Sequence, residues 1–148
     1  MDVRRAGAAD VPAMQRVAEL AYTPYLARTG GMRPGPMDTD YAAAVAGTEA
    51  WVALDDTEVV GLLLLVAEDD GMRLENVAVL PSHHGRGTGR ALLALAEERA
   101  GAAGRTRIRL YTHETMVENQ QLYEGIGYVE THRTTEHGIT RVFYDKRL

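Results

Sequence analysis

The 148-residue chain contains no cysteine. That excludes a disulfide framework, a thiolate metal site and a covalent cysteine nucleophile. It suits a reducing compartment, and a cytoplasmic location is expected. Positive charge is in deficit: 16 Lys and Arg against 21 Asp and Glu give a formal charge of −5. Proteins that grip duplex nucleic acid usually show a basic excess, so no nucleic-acid partner is expected. Long apolar runs are missing too. None is longer than Leu62 to Ala67, which is strand length, well short of the roughly 20 residues of a membrane span, so no membrane association is expected. The opening Met-Asp-Val-Arg-Arg shows no signal-peptide apolar region. No repeat or low-complexity tract occurs. The remaining balance, 45% hydrophobic and 25% charged, is that of a globular chain, and one domain over residues 1–148 is expected.

Periodicity orders the elements. Val3 to Arg5 reads as a short strand, and Asp10 as an N-cap with Pro12 in the first helical turn. Val11, Met14, Ala18, Ala21 or Tyr22, and Tyr25 recur at helical spacing. Thr29 to Asp40, with Gly30, Gly31, Pro34, Gly35 and Pro36, reads as a plain connection or a substrate-facing lid. A short helix follows over Asp40 to Ala46. Ala50–Leu54, Val59–Ala67 and Leu74–Leu80 form an antiparallel meander, separated by acidic and glycine turns. A helix over Gly89–Ala103, a strand over Arg107–Thr112, a helix over Met116–Ile126 and a hairpin around His137-Gly138 complete the chain. This order predicts an α+β (mixed α/β) fold, with a central mixed, mostly antiparallel sheet flanked by helices.

The densest signal lies between a strand and a helix: Pro81-Ser82-His83-His84-Gly85-Arg86-Gly87-Thr88-Gly89-Arg90. Alternating glycines remove side chains where backbone must approach a ligand or take positive φ. A helix beginning there aims free N–H groups and its positive dipole end at one spot. Arg86 and Arg90 add charge, which suits a pyrophosphate. The dinucleotide fingerprint is not met, since Arg90 stands where its third glycine belongs. The P-loop Gly-Lys-Ser/Thr is missing as well. His83-His84 lacks nearby carboxylates, and His113-Glu114-Thr115-Met116-Val117 lacks the second zincin histidine, so no metal site is expected.

The turn resembles that of the GNAT N-acetyltransferase superfamily, Gln/Arg-x-x-Gly-x-Gly/Ala, here His84-Gly85-Arg86-Gly87-Thr88-Gly89. Leu74 to Pro81 is similar to the strand leading into it, and Leu122-Tyr123-Glu124-Gly125-Ile126-Gly127-Tyr128 is similar to the family's Leu-Tyr-x-x-x-Gly-Phe. His84 stands where Gln or Arg is usual. Met116 stands where many members carry Asn, and Asn119 is one helical turn before Tyr123.

The resemblance implies a GNAT-like acyl-CoA N-acyltransferase fold with acetyl-CoA as cosubstrate. It implies direct transfer to a primary amine of a small molecule or peptide, and homodimers are common in the family. Val77, Ala78 and Val79 would pair with the pantetheine arm. His84, Gly85, Arg86, Gly87, Thr88, Gly89 and Arg90 would take the pyrophosphate side, with Asn119 and Tyr123 nearer the reacting group. Tyr123 would be the acid that protonates the departing thiolate. Glu75 would be the base through water, on the side of Val77 and Val79 unless a β-bulge intervenes, with His113 as runner-up. Tyr22 and Tyr25 would border the acceptor site or serve as core aromatics, and Asp38, Asp40 and Glu75 would attract a cationic amine. Two other classes stay open: a module that binds CoA or an acyl-CoA without transfer, and a nucleotide- or nucleic-acid-binding domain that uses the Arg-Gly turn.

Overall fold

The computed structural model describes residues 2–148. Seven strands, β1 (Asp2–Arg5), β2 (Glu49–Asp55), β3 (Glu58–Glu68), β4 (Gly71–Val79), β5 (Arg107–His113), β6 (Val129–Glu136) and β7 (Ile139–Arg147), form one sheet in the order β1-β2-β3-β4-β5-β7-β6. Four α-helices accompany them: α1 (Val11–Tyr22), α2 (Tyr41–Gly47), α3 (Thr88–Ala102) and α4 (Val117–Gly125). Every strand pairing is antiparallel except that of β4 with β5. The mixed, mostly antiparallel architecture is thus the expected one.

The central strand explains its own composition. Leu62, Leu63, Leu64 and Leu65 are all fully buried because both faces of β3 are covered, by α1 on one side and α3 on the other. Each such side chain contributes roughly 1.5–3 kcal/mol of burial. Gly61 shares the α3 face: a Cβ there would stand 3.1 Å from Leu92.

Local chemistry sets several boundaries. α1 ends at Tyr22, and Thr23–Tyr25 tighten into a 3₁₀ turn, so Tyr25 lies beyond the helix. Asp10 corrects the expected N-cap. Its carboxylate makes no cap bond to α1; it binds the Arg4 guanidinium at 2.8 and 2.9 Å and accepts the Gly7 N–H at 2.8 Å. α4 closes as a Schellman motif. Gly127 takes φ 101° and donates to Glu124, while the Tyr128 N–H returns to the Tyr123 carbonyl at 3.0 Å.

Two irregularities position the site. β4 and β5 pair only at Met72–Ile108 and Arg73–Arg109, then separate. Gly71 lets them meet at the narrow end, where a Cβ would come within 2.8 Å of the Arg107 carbonyl oxygen. Between Leu74 and Asn76 the register against β3 shifts, leaving Glu75 as the bulged residue. Among the described residues no helix is long and apolar enough to cross a membrane.

Candidate functional site

Backbone direction makes the split usable. Leu80 donates to the Val60 carbonyl at 2.8 Å, so antiparallel alternation turns Ala78 and Asn76 toward β3 as well. The peptide groups of Val77 and Val79 therefore face the gap. The Val79 carbonyl accepts the His84 Nε2–H at 3.0 Å, and the Val77 carbonyl lies 3.4 Å from the Tyr22 hydroxyl. Their N–H groups remain available to a ligand.

A cleft of about 550 Å³ runs from this gap to the start of α3. Val77, Ala78, Val79, His84, Gly85, Gly87, Thr88, Gly89, Arg90, Asn119 and Tyr123 all line it. Gly85 and Gly87 take φ of 77° and 84°, the left-handed region open to glycine, with open space where a Cβ would be. No side chain caps α3, so its first N–H groups point into the cleft. Arg86 lies outside this lining; its exposed guanidinium is 3.8 Å from Asp55. His83 bonds Ser82 and Asp55 at 2.9 Å each. The His84 ring contributes to the cleft by holding the Val79 carbonyl.

A second cavity, of about 240 Å³, opens on the α1 side. Tyr22, Glu75, Asn76, Tyr111, His113 and Arg141 line it, with the 29–39 segment as its cover. The buried Asn76 amide organises this wall. Its oxygen accepts the Tyr22 hydroxyl at 2.9 Å, and its nitrogen donates to the Tyr41 hydroxyl at 3.0 Å. Tyr41 in turn donates to the Pro36 carbonyl at 2.7 Å, fixing the covering segment. The segment is held again by Arg33, paired with Glu19 and Asp38 at 2.9 Å. On the cleft side, Arg28 binds Glu118 at 2.7 and 2.8 Å and the Thr115 carbonyl at 3.1 Å, strapping the end of the α1 region to α4.

Val77, Asn119 and Tyr123 belong to both cavities. Tyr123 is 6% exposed, with its ring 5.9 Å from Tyr128 and 6.1 Å from Tyr144. Among the described residues its hydroxyl has no hydrogen-bond partner, so the proton is free for a group in the cavities. Burial, with Tyr25 and Tyr144 beside it, pushes the phenol far above its ordinary range. It stays protonated at neutral pH. The half-buried Asn119 points its amide nitrogen at the Met116 sulfur, 3.7 Å away.

Glu75, at the bulge, sits beside Arg73, at 3.4 Å, and shares the wall of the smaller cavity with Val77, whereas Val79 lines only the cleft. His113 reaches the same cavity, but its Nδ1 accepts the Thr115 N–H at 3.1 Å, so its available lone pair is engaged. Of the other carboxylates expected to attract an amine, Asp38 is tied to Arg33, and Asp40 caps α2 through Ala43 N–H at 3.0 Å. Neither lines the cavity. Tyr25 borders the cleft and Tyr22 the smaller cavity. The cavity-facing Arg141 and Tyr111 carry no sequence signal, since they lie on strands that read as ordinary sheet.

Solved structures share this arrangement across nearly the whole chain. The PaiA N-acetyltransferase of Thermoplasma acidophilum, in complex with coenzyme A, superposes with a TM-score of 0.84 at 16% identity, covering 99% of this chain and 98% of that one. The ribosomal-protein-S18-alanine N-acetyltransferase of Escherichia coli gives 0.80 at 17%, covering 99% and 92%. A GNAT family acetyltransferase of Elizabethkingia anophelis with acetyl-CoA bound gives 0.73 at 17%, covering 99% and 97%. At these identities the likeness is one of fold. No curated protein matches the sequence. The family model described as an acetyltransferase (GNAT) domain matches residues 46–130, a span that includes the split strand, the glycine turn and Tyr123. That match spans more than half of the chain, which therefore belongs to the GNAT acetyltransferase family.

Proposed function

We propose that the protein moves an acetyl group from acetyl-CoA to a primary amine of a small molecule or peptide by direct attack. The observation that carries this is the meeting of two cavities at Val77, Asn119 and Tyr123. One is a long cleft with a glycine-lined, N–H-rich end. The other is compact and holds a carboxylate. Two reactants entering from opposite sides would touch at the shared residues.

The residues divide the work. N–H groups of the turn and the start of α3, with Arg90, hold the pyrophosphate. Val77 and Val79 pair with the pantetheine amides as an added strand. The Val77 N–H steadies the acetyl oxygen as charge develops on it. The amine nitrogen bonds to the carbonyl carbon and loses a proton through water to Glu75. The carbon–sulfur bond breaks, and the thiolate takes the Tyr123 proton. As product leaves, the phenolate is reprotonated from solvent and Glu75 gives its proton up to solvent.

Calorimetric titration with acetyl-CoA, wild type against Gly87→Glu, tests the reading. Micromolar binding is expected for the wild type and loss of it in the variant, because the new side chain puts bulk and negative charge into the anion site. No binding by the folded wild type would refute it. A second reading, CoA binding without transfer, draws on His84, whose ring occupies the Val79 carbonyl. Binding with no free-thiol release across an amine panel would favour that alternative.

A further inference from the structure

Charge in the smaller cavity is unbalanced in a particular way. Apart from its tyrosines, its ionisable lining residues are Arg33, Glu75, His113 and Arg141. Arg33 is satisfied twice over, by Glu19 and Asp38. Glu75 has Arg73 beside it. Arg141 differs from both. Among the described residues it forms no ion pair, and its side chain donates no hydrogen bond. It lies half-buried with its guanidinium carbon 5.3 Å from the centre of the Tyr111 ring. That cation–π contact holds the group beside the ring and leaves its N–H groups for a ligand. Its register partner across the sheet is His113, so no acidic side chain faces it from β5. Thr134 is its partner on β6.

From this we infer that the acceptor amine also carries a carboxylate, bound by Arg141. The inference rests on the acetyltransferase reading above and narrows its acceptor. A planar guanidinium with no partner of its own matches a carboxylate in the two-pronged manner that a lone ammonium cannot. The cavity's size sets the scale of the ligand. About 240 Å³ lies below the roughly 300–1,000 Å³ of pockets for drug-sized ligands, so the acceptor is a compact amino acid or a single terminal residue. The amine end goes to the shared corner at Val77, Asn119 and Tyr123, near Glu75. The carboxylate end goes to Arg141 and Tyr111. The cation-seeking site expected from Asp38, Asp40 and Glu75 is thereby replaced by one that reads both charges of a zwitterion.

The test is a panel of amino acids of increasing chain length, each beside its own carboxamide, assayed by free-thiol release from acetyl-CoA. The wild type is expected to favour an acid over its amide by about 10-fold or more in kcat/KM. Arg141→Gln should erase that preference, chiefly through KM, while acetyl-CoA affinity by calorimetry stays at the wild-type value. Arg141→Lys, which keeps the charge and loses the fork, should recover part of it. A wild type that uses amides as well as acids overturns the inference. So does an Arg141→Gln protein that loses acids and amides alike, or a wild type that binds acetyl-CoA but acetylates no acid of the panel. A wild type that fails to bind acetyl-CoA overturns the acetyltransferase reading as well, which separates the two failures.

Discussion

The Tyr22 hydroxyl bonds the Asn76 side-chain oxygen at 2.9 Å, joining the last residue of α1 to the strand where the sheet divides. Asn76 is 4% exposed, and its nitrogen serves Tyr41 at 3.0 Å. One amide thus ties together a helix end, a strand and, through Tyr41 and Pro36, the cover of the smaller cavity. Asn76→Ala should destabilise the fold by about 2 kcal/mol, since two buried hydroxyls lose a partner. Tyr22→Phe, which removes one bond, should lose about 1 kcal/mol. Urea unfolding measures both; an Asn76→Ala midpoint equal to that of the wild type would show that the network adds nothing to stability.

Tyr123→Phe removes a hydroxyl with no intramolecular partner, so folding should be nearly unaffected. Turnover should fall about 10-fold or more, the loss of a general acid. Acetyl-CoA affinity should hold, because the ring still packs on Tyr128 and Tyr144. Unchanged turnover would remove Tyr123 from the chemistry.

Glu75→Gln keeps the shape of the bulge and abolishes the base. Turnover is expected to drop about 10-fold or more. A variant that retains wild-type turnover would assign the proton to solvent instead.

The strap between Arg28 and Glu118 predicts a pH dependence. Hydrogen bonding by Arg28 lowers the Glu118 carboxyl from an ordinary 4.5 to about 2. Because the folded value is depressed, the stabilisation is complete above the unfolded value. It fades as pH falls from about 4.5 and is gone near 2. Glu118→Gln should therefore melt below the wild type at pH 7, and the two should converge by pH 2. A gap in melting temperature that stays constant across that range would show that the ion pair carries no pH-dependent stability.

The chain announced its turn far better than its walls. Gly85 and Gly87 were readable because positive φ and ligand approach favour one residue type, and the structure gives both that conformation. Gly127 and Tyr128 were readable for the same reason: their spacing from Tyr123 closes a helix in a fixed geometry. The bulge at Glu75 left no trace, since alternation counts residues and cannot show which one the partner strand skips. Asp10 looked like a cap because its true partner, Arg4, is set by tertiary approach. Arg86 looked like part of the cradle because local spacing does not say which way a long side chain turns. Arg141 was invisible because its meaning lies in the absence of a carboxylate around it, which three dimensions alone reveal.

The two-pair contact between β4 and β5 gives this sheet a third edge, in its interior. Outer edges invite other strands. This one is walled by α3 and α4. A pantetheine arm seated there would zip the ladder further along Val77 and Val79. By mass action such binding raises the free energy of unfolding, and the amide hydrogens of those two residues would exchange more slowly. The protein's lifetime would then follow the supply of its acyl carrier, so that a half-zipped sheet, short of ligand, would also be the form most readily unfolded and degraded.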